Sequence, residues 1–168
     1  AAQDGDVVYA VPGSPDLAER TVVFLREAQM HGLVKLEVTP GLSFAELAWS
    51  RLGVDPMSGV RVVDGASFAV DVAGASGDLL IAQCDSSEVL SDVKLTLLED
   101  LEPDHEITVL QRLGLPDEEI FGVKLENLDR HVAADHLTTL FVSLGVASIS
   151  GDFAQLVEVG RRLLAPGG

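Results

Sequence analysis

Short apolar runs alternate along this chain with segments of helical spacing, an order that argues for a layered α/β architecture. Residues 6–11 (DVVYAV) form a β-rich run, and Pro12-Gly13-Ser14-Pro15 turns the chain. Ser14 suits an N-cap and Pro15 the first helical position, where a missing N–H costs nothing. Leu17, Val22, Phe24, Leu25 and Ala28 follow at helical spacing, and Gly32 is the predicted stop. Residues 34–38 read as a second strand, parallel to the first if the crossover is right-handed. Pro40-Gly41-Leu42 interrupts, and residues 39–43 are the candidate linker between domains. Ser43 and Glu46 then have capping-box spacing, predicting a short helix from Phe44 to about Leu52 that ends at Gly53.

Beyond the linker the pattern continues. Strands are expected at 60–63, 79–83, 107–110 and 138–142, with 120–124 as an edge strand. Val89, Leu90, Val93, Leu97 and Leu98 form the apolar stripe of a helix from about Glu88 to Leu101, and 125–128 reads as a short helical turn. Residues 64–77, rich in small side chains, give no clear pattern. Residues 152–165 form one more amphipathic helix, with Phe153, Leu156, Val157, Leu163 and Leu164 on one face that needs a partner surface.

Composition narrows the functions. The 168 residues carry 27 acidic and 11 basic side chains, a net charge of −16. The basic residues are scattered, with Arg161-Arg162 their single adjacent pair, so the clustered cations that nucleic-acid binding requires are missing. Cys84 is the only cysteine, which excludes an intramolecular disulfide and a four-cysteine zinc site. No apolar run approaches the ~18 residues of a membrane span and no signal peptide is visible, so a cytoplasmic location is expected.

The residues offer few chemical groups. The turn at 11–15 lies between a strand and a helix, where α/β sheets often bind ligands; it reads either that way or as an ordinary connection, and its residues alone favour the latter. It is neither a P-loop nor a dinucleotide fingerprint. His131 and His136 are five apart, which does not fit the zinc-protease helix, and they read as surface groups like His31 and His105. Ser14, Ser43 and Ser86 sit at helix starts, where capping explains them. Cys84, at a strand end without a basic neighbour, reads as a buried, inert thiol. The acidic runs Glu99-Asp100 and Asp117-Glu118-Glu119 read as solvated surface, and no metal is expected.

Read together, VVYAVPGSPDLAERTV (7–22), VTPGLSFAELAWSRLGVDP (38–56), VRVVDGASF (60–68), SSEVLSDVKLTLLEDL (86–101) and FGVKLENLDRH (121–131) resemble the tetrapyrrole (corrin/porphyrin) methylase domain. More narrowly, they resemble the version fused to MazG-type nucleoside triphosphate pyrophosphohydrolases. The resemblance implies a tetrapyrrole-methylase-like α/β fold. Residues 1–39 would be the remainder of its first subdomain, and 40–149 the linker and a complete second subdomain with a mixed sheet and flanking helices. Residues 150–168 would be a helix leading to a pyrophosphohydrolase domain that is absent here, because LLAPGG (163–168) resembles the segment preceding that domain. The opening strand and Gly-Pro-Gly loop of the family have no counterpart.

The family binds S-adenosylmethionine in a cleft between its subdomains, largely through backbone and apolar contacts. By position, the resemblance assigns cofactor contacts to Gly13, Ser14 and Pro15, to Ser43 and Phe44, to Gln83 and Cys84, to Arg112 and Leu113, and to Thr138 and Thr139. Ser14 stands where the family commonly has Asp, and Phe44 where a small residue is common. No catalytic residue is assigned. A homodimer is implied.

Three functions follow as expectations. The chain is the cofactor-binding remainder of an S-adenosylmethionine-dependent methyltransferase, inactive alone, in which alignment of nucleophile and methyl carbon does most of the work. Alternatively, it is a non-catalytic binding or dimerisation module of a MazG-type enzyme. On a third, weaker reading, the parent hydrolyses nucleoside triphosphates and this chain contributes linkage.

Overall fold

A computed structural model of the protein describes residues 5–145. The expected helix at 152–165 lies outside the described residues. The chain divides into two compact units between Gly53 and Val54.

In the first unit, helix α1 spans Arg20–Met30 and helix α2 spans Phe44–Leu52. The expected start of α1 at Pro15 is wrong. The Ser14 hydroxyl accepts from the Asp16 backbone N–H instead, closing a local turn, and Ala18 takes a left-handed conformation that no helix can include. Glu19 then caps α1 through the Thr21 N–H. The helix ends as expected: Gly32 and Leu33 donate to Gln29 and Ala28, the paired bonds of a Schellman motif.

The strands expected at 6–11 and 34–38 do not form. Residues 34–38 keep the alternation of a strand, with Val34, Leu36 and Val38 half-buried and Lys35 and Glu37 exposed. What they lack is a ladder partner among the described residues, and a strand is defined by its partner. Helix α2, by contrast, matches its prediction. Ser43 accepts from the Ala45 N–H, and Glu46 reaches back to the Ser43 N–H at 2.9 Å and to its hydroxyl.

The second unit is a five-stranded mixed sheet. Strands β1 (Arg61–Asp64), β2 (Leu79–Ala82), β3 (Glu106–Gln111), β4 (Glu119–Lys124) and β5 (Thr138–Val142) take the spatial order β1-β2-β5-β3-β4. β1 and β2 are parallel, while β5 runs antiparallel to both β2 and β3, and β3 antiparallel to β4. The five strands expected beyond residue 54 all occur, and β4 is an edge strand as expected. The segment 64–77, left unassigned from sequence, holds a 3-10 turn at Gly65–Ser67 and the short helix α3, Phe68–Asp71. Helix α4 is Ser87–Leu97, capped by Ser86, and α5 is Leu128–His131.

The core lies on one face of this sheet. Leu79, Ile81, Ile107, Val109, Leu140 and Val142 point to that face and pack with Leu90, Val93 and Leu97 of α4 and with Phe68, Leu125 and Leu128. Leu80, Leu110 and Phe141 are buried on the opposite face, as the period-2 register requires. Lys94 is the exception in the stripe of α4. It is buried, and its ammonium lies 2.6 Å from the Asp129 carboxylate of α5.

Candidate functional site

The register of the sheet brings three distant segments to one end. β2 and β3 both run antiparallel to β5, so their carboxyl ends flank its first residue. Gln83-Cys84 leaves β2, Arg112-Leu113 leaves β3, and Thr138-Thr139 begins β5. The Cys84 N–H donates to the Thr138 carbonyl at 3.1 Å, and the Arg112 N–H to the Leu137 carbonyl at 3.2 Å. These six residues, predicted separately, are neighbours.

Two of them are strained. Gln83 and Arg112 have φ of +56° and +53°, a left-handed region that costs an L-residue roughly 1–2 kcal/mol. Such residues persist where surrounding bonds fix them, and they concentrate at ligand clamps. Each kinks the chain sharply just past its strand.

The six differ in what they could touch. Gln83 is exposed, and Arg112 and Leu113 are half-buried. Cys84 and Thr138 are enclosed, and Thr139 nearly so. Burial, with the charges of Asp64 and Asp85 added, pushes the Cys84 thiol up to about 12, so it is a protonated packing group and not a nucleophile. The Thr138 hydroxyl has no capacity left. It accepts from the Gln111 side-chain amide and the Asp135 N–H, both at 2.9 Å, and donates to the Asp135 carboxylate at 3.2 Å. At this end the side chains of Gln83 and Leu113 are thus open to solvent at least in part, while those of Cys84 and Thr138 are enclosed.

Gln111 and Asp135 were not among the predicted site residues. Gln111 is buried and also donates to the Ala133 carbonyl at 2.8 Å. Asp135 accepts from the Leu137 N–H at 2.8 Å and from the Arg112 guanidinium at 2.8 Å. Burial pushes its carboxyl up, but the Leu137, Arg112 and Thr138 hydrogen bonds and the charge of Arg112 outweigh it and hold the group below its ordinary range.

The remaining predicted residues belong to the first unit, where they too converge. A Cβ on Gly41 would lie 2.7 Å from the Gly13 carbonyl oxygen, so the 12–15 turn and the 40–43 segment meet through bare backbone. Gly13 has φ +83°, a second reason for glycine there. Pro15 and Ser43 are buried, and Ser14 and Phe44 are half-buried. Ser43 is engaged as the cap of α2.

Among the described residues no group of three or more metal-ligating side chains converges, and no helix is long and apolar enough to cross a membrane.

Comparison with known proteins decides the family. The profile of the Tetrapyrrole (Corrin/Porphyrin) Methylases matches residues 1–129. The chain belongs to this family. A relative in Bacillus subtilis (strain 168), the uncharacterized protein YabN, is 39% identical over 142 residues, which are 84% of this chain and 29% of YabN. Solved structures share the fold. The methyltransferase CobJ has a TM-score of 0.63 at 18% identity, over 84% of this chain and 66% of CobJ. Uroporphyrin-III-C-methyltransferase from Thermus thermophilus has a TM-score of 0.61 at 24% identity, over 86% of this chain and 64% of the enzyme. A structure of uroporphyrin-III C-methyltransferase from Thermus thermophilus complexed with S-adenyl homocysteine has a TM-score of 0.57 at 19% identity, over 79% of this chain and 63% of that one. The chain thus spans less than a third of YabN and just under two thirds of these structures.

Proposed function

We propose that this chain is the cofactor-binding part of an S-adenosylmethionine-dependent methyltransferase of the tetrapyrrole methylase family. The observation that carries the reading is the meeting of Gln83-Cys84, Arg112-Leu113 and Thr138-Thr139 at one sheet end, two of them kinked by left-handed backbone. It is supported by the family match and by the Thermus thermophilus structure that holds S-adenyl homocysteine.

The residues present fit the cofactor. Adenosine needs apolar surface and backbone hydrogen bonding, and this end offers half-buried Leu113, exposed Gln83 and the kinked main chain beside it. When bound, S-adenosylmethionine supplies an electrophilic methyl group. The protein's part is then to bind and orient, because alignment of the nucleophile with the methyl carbon does most of the work. For Gly13, Ser14, Pro15, Ser43 and Phe44 of the first unit, cofactor contacts rest on the family resemblance alone.

Calorimetric titration with S-adenosylhomocysteine tests this. Binding is expected in the longer natural polypeptide; no heat there rejects the reading.

A second reading has one observation in its favour. Ser14 occupies a position where the family commonly has a carboxylate, and its hydroxyl is spent on the Asp16 N–H. On that reading the domain is a non-catalytic binding or dimerisation module of a MazG-type pyrophosphohydrolase. Removing it from the whole protein would change oligomer size or nucleotide hydrolysis; unchanged values remove the support.

A further inference from the structure

We propose that Arg112 is a positioning residue whose guanidinium ties the β3–β4 loop to the α5–β5 loop, with Asp135 as its essential partner, so that the two loops form one rigid frame at the sheet end. The frame itself stands on geometry alone; its consequence for a ligand rests on the cofactor reading above.

Arg112 reaches in three directions. Nη1 meets the Asp135 carboxylate at 2.8 Å, Nε meets the Asp117 carboxylate at 2.9 Å and its carbonyl at 3.1 Å, and Nη2 meets Glu119 at 3.2 Å. Asp117 and Glu119 belong to the β3–β4 connection and the start of β4, and Asp135 to the α5–β5 loop. Every guanidinium nitrogen therefore faces a protein oxygen. The competing role, recruiting an anionic ligand, needs a positive charge that Arg112 does not have to spare. Three carboxylates surround it.

The far anchor is equally well held. Asp135 presents one carboxylate oxygen to Arg112 and the other to the Leu137 N–H and the Thr138 hydroxyl. Thr138 is fixed in turn by Gln111, the residue immediately before Arg112. The chain of bonds leaves β3 at Gln111-Arg112, crosses to the loop before β5, and returns. A fork of planar donors is needed to span these oxygens, and a lysine ammonium cannot reproduce it. The left-handed backbone of Arg112 aims Leu113 away from the strand, so the tie also sets where Leu113 sits.

Hydrogen–deuterium exchange on the full 168-residue chain tests the tie, with Arg112→Lys keeping the charge but losing the fork and Asp135→Asn removing the partner. Amides of 112–118 and 133–138 should exchange about tenfold faster together in both variants, while β1 and β2 stay protected. Glu119→Gln covers the case in which either variant fails to fold, being a change at an exposed side chain. It should quicken exchange in 133–138 roughly two- to threefold, although Glu119 itself lies on β4, because its influence passes through Arg112. A response confined to the loop that bears the substitution overturns the proposal. S-adenosylhomocysteine affinity, measured at a temperature where every variant is fully folded, should fall about tenfold in Arg112→Lys and Asp135→Asn, the readout that a merely structural role would not move. Affinity is measured in the longer polypeptide; if that protein, unaltered, takes up no S-adenosylhomocysteine, the cofactor reading falls and the exchange pattern alone decides the tie. Equal affinity in all variants, where the unaltered protein binds, overturns the frame's part in ligand binding.

Discussion

Cys84 sits among Gly65, Ala82 and the β2 end with none of its surface open, and its thiol is raised to about 12. Thiolate is the reactive form, so a disulfide reagent at pH 8 should leave the native protein unlabelled and label one thiol after unfolding. Prompt labelling of the native chain would contradict the burial described. This inertness was legible in the sequence, where an apolar neighbourhood without Lys or Arg already implied it. The bonds of Thr138 were not. Its hydroxyl is satisfied by Gln111, 27 residues away, and by Asp135, whose other partner Arg112 is 23 residues away. Asp135 is local to Thr138, but nothing local marks Gln111 or Arg112. They follow from a register that only the folded sheet establishes.

At the scale of elements, local signals carried well where both partners lay within one turn. The capping box of α2 is the clear case. Ser43→Ala should cost about 1 kcal/mol, read as a lower denaturation midpoint. Local signals failed where the decisive group was an unusual one: Glu19 is an uncommon cap, and the Ser14-Pro15 pair looked like the better start of α1. Residues 6–11 and 34–38 have strand composition, but composition cannot supply a ladder partner. The Lys94–Asp129 pair was also missed, since Lys94 interrupts an otherwise apolar face. Removing one member, as in Asp129→Ala, should destabilise by about 3–5 kcal/mol because it leaves a buried ammonium unpaired. The double change Lys94→Met with Asp129→Leu should recover most of that in a denaturant titration. Failure to recover would mean the pair does more than satisfy itself.

At the scale of the molecule, acid sensitivity follows from the carboxylates. Asp129 is held below its ordinary range first by the Lys94 hydrogen bond, and Glu46 first by Ser43, while Asp135 lies low despite its burial. A lowered folded pKa gives stability that is complete above the unfolded value and lost as pH falls through the folded one. The melting temperature should hold from neutrality to about pH 5 and decline below about pH 4. A decline already under way at pH 6 would contradict this account. The α/β class, the mixed sheet and the family were all legible in the sequence, because alternating pattern and distributed motifs survive without tertiary detail. The place of β5 was not, and it has a consequence for how the protein is made. The strand at the middle of the sheet is the last of the five to leave the ribosome. Until Val142 has emerged, the nascent chain consists of a β1–β2 pair and a β3–β4 hairpin, each exposing an inner edge of unpaired amides. Synthesis interrupted before that point would leave sticky half-sheets, and chaperone demand should peak just ahead of the final strand.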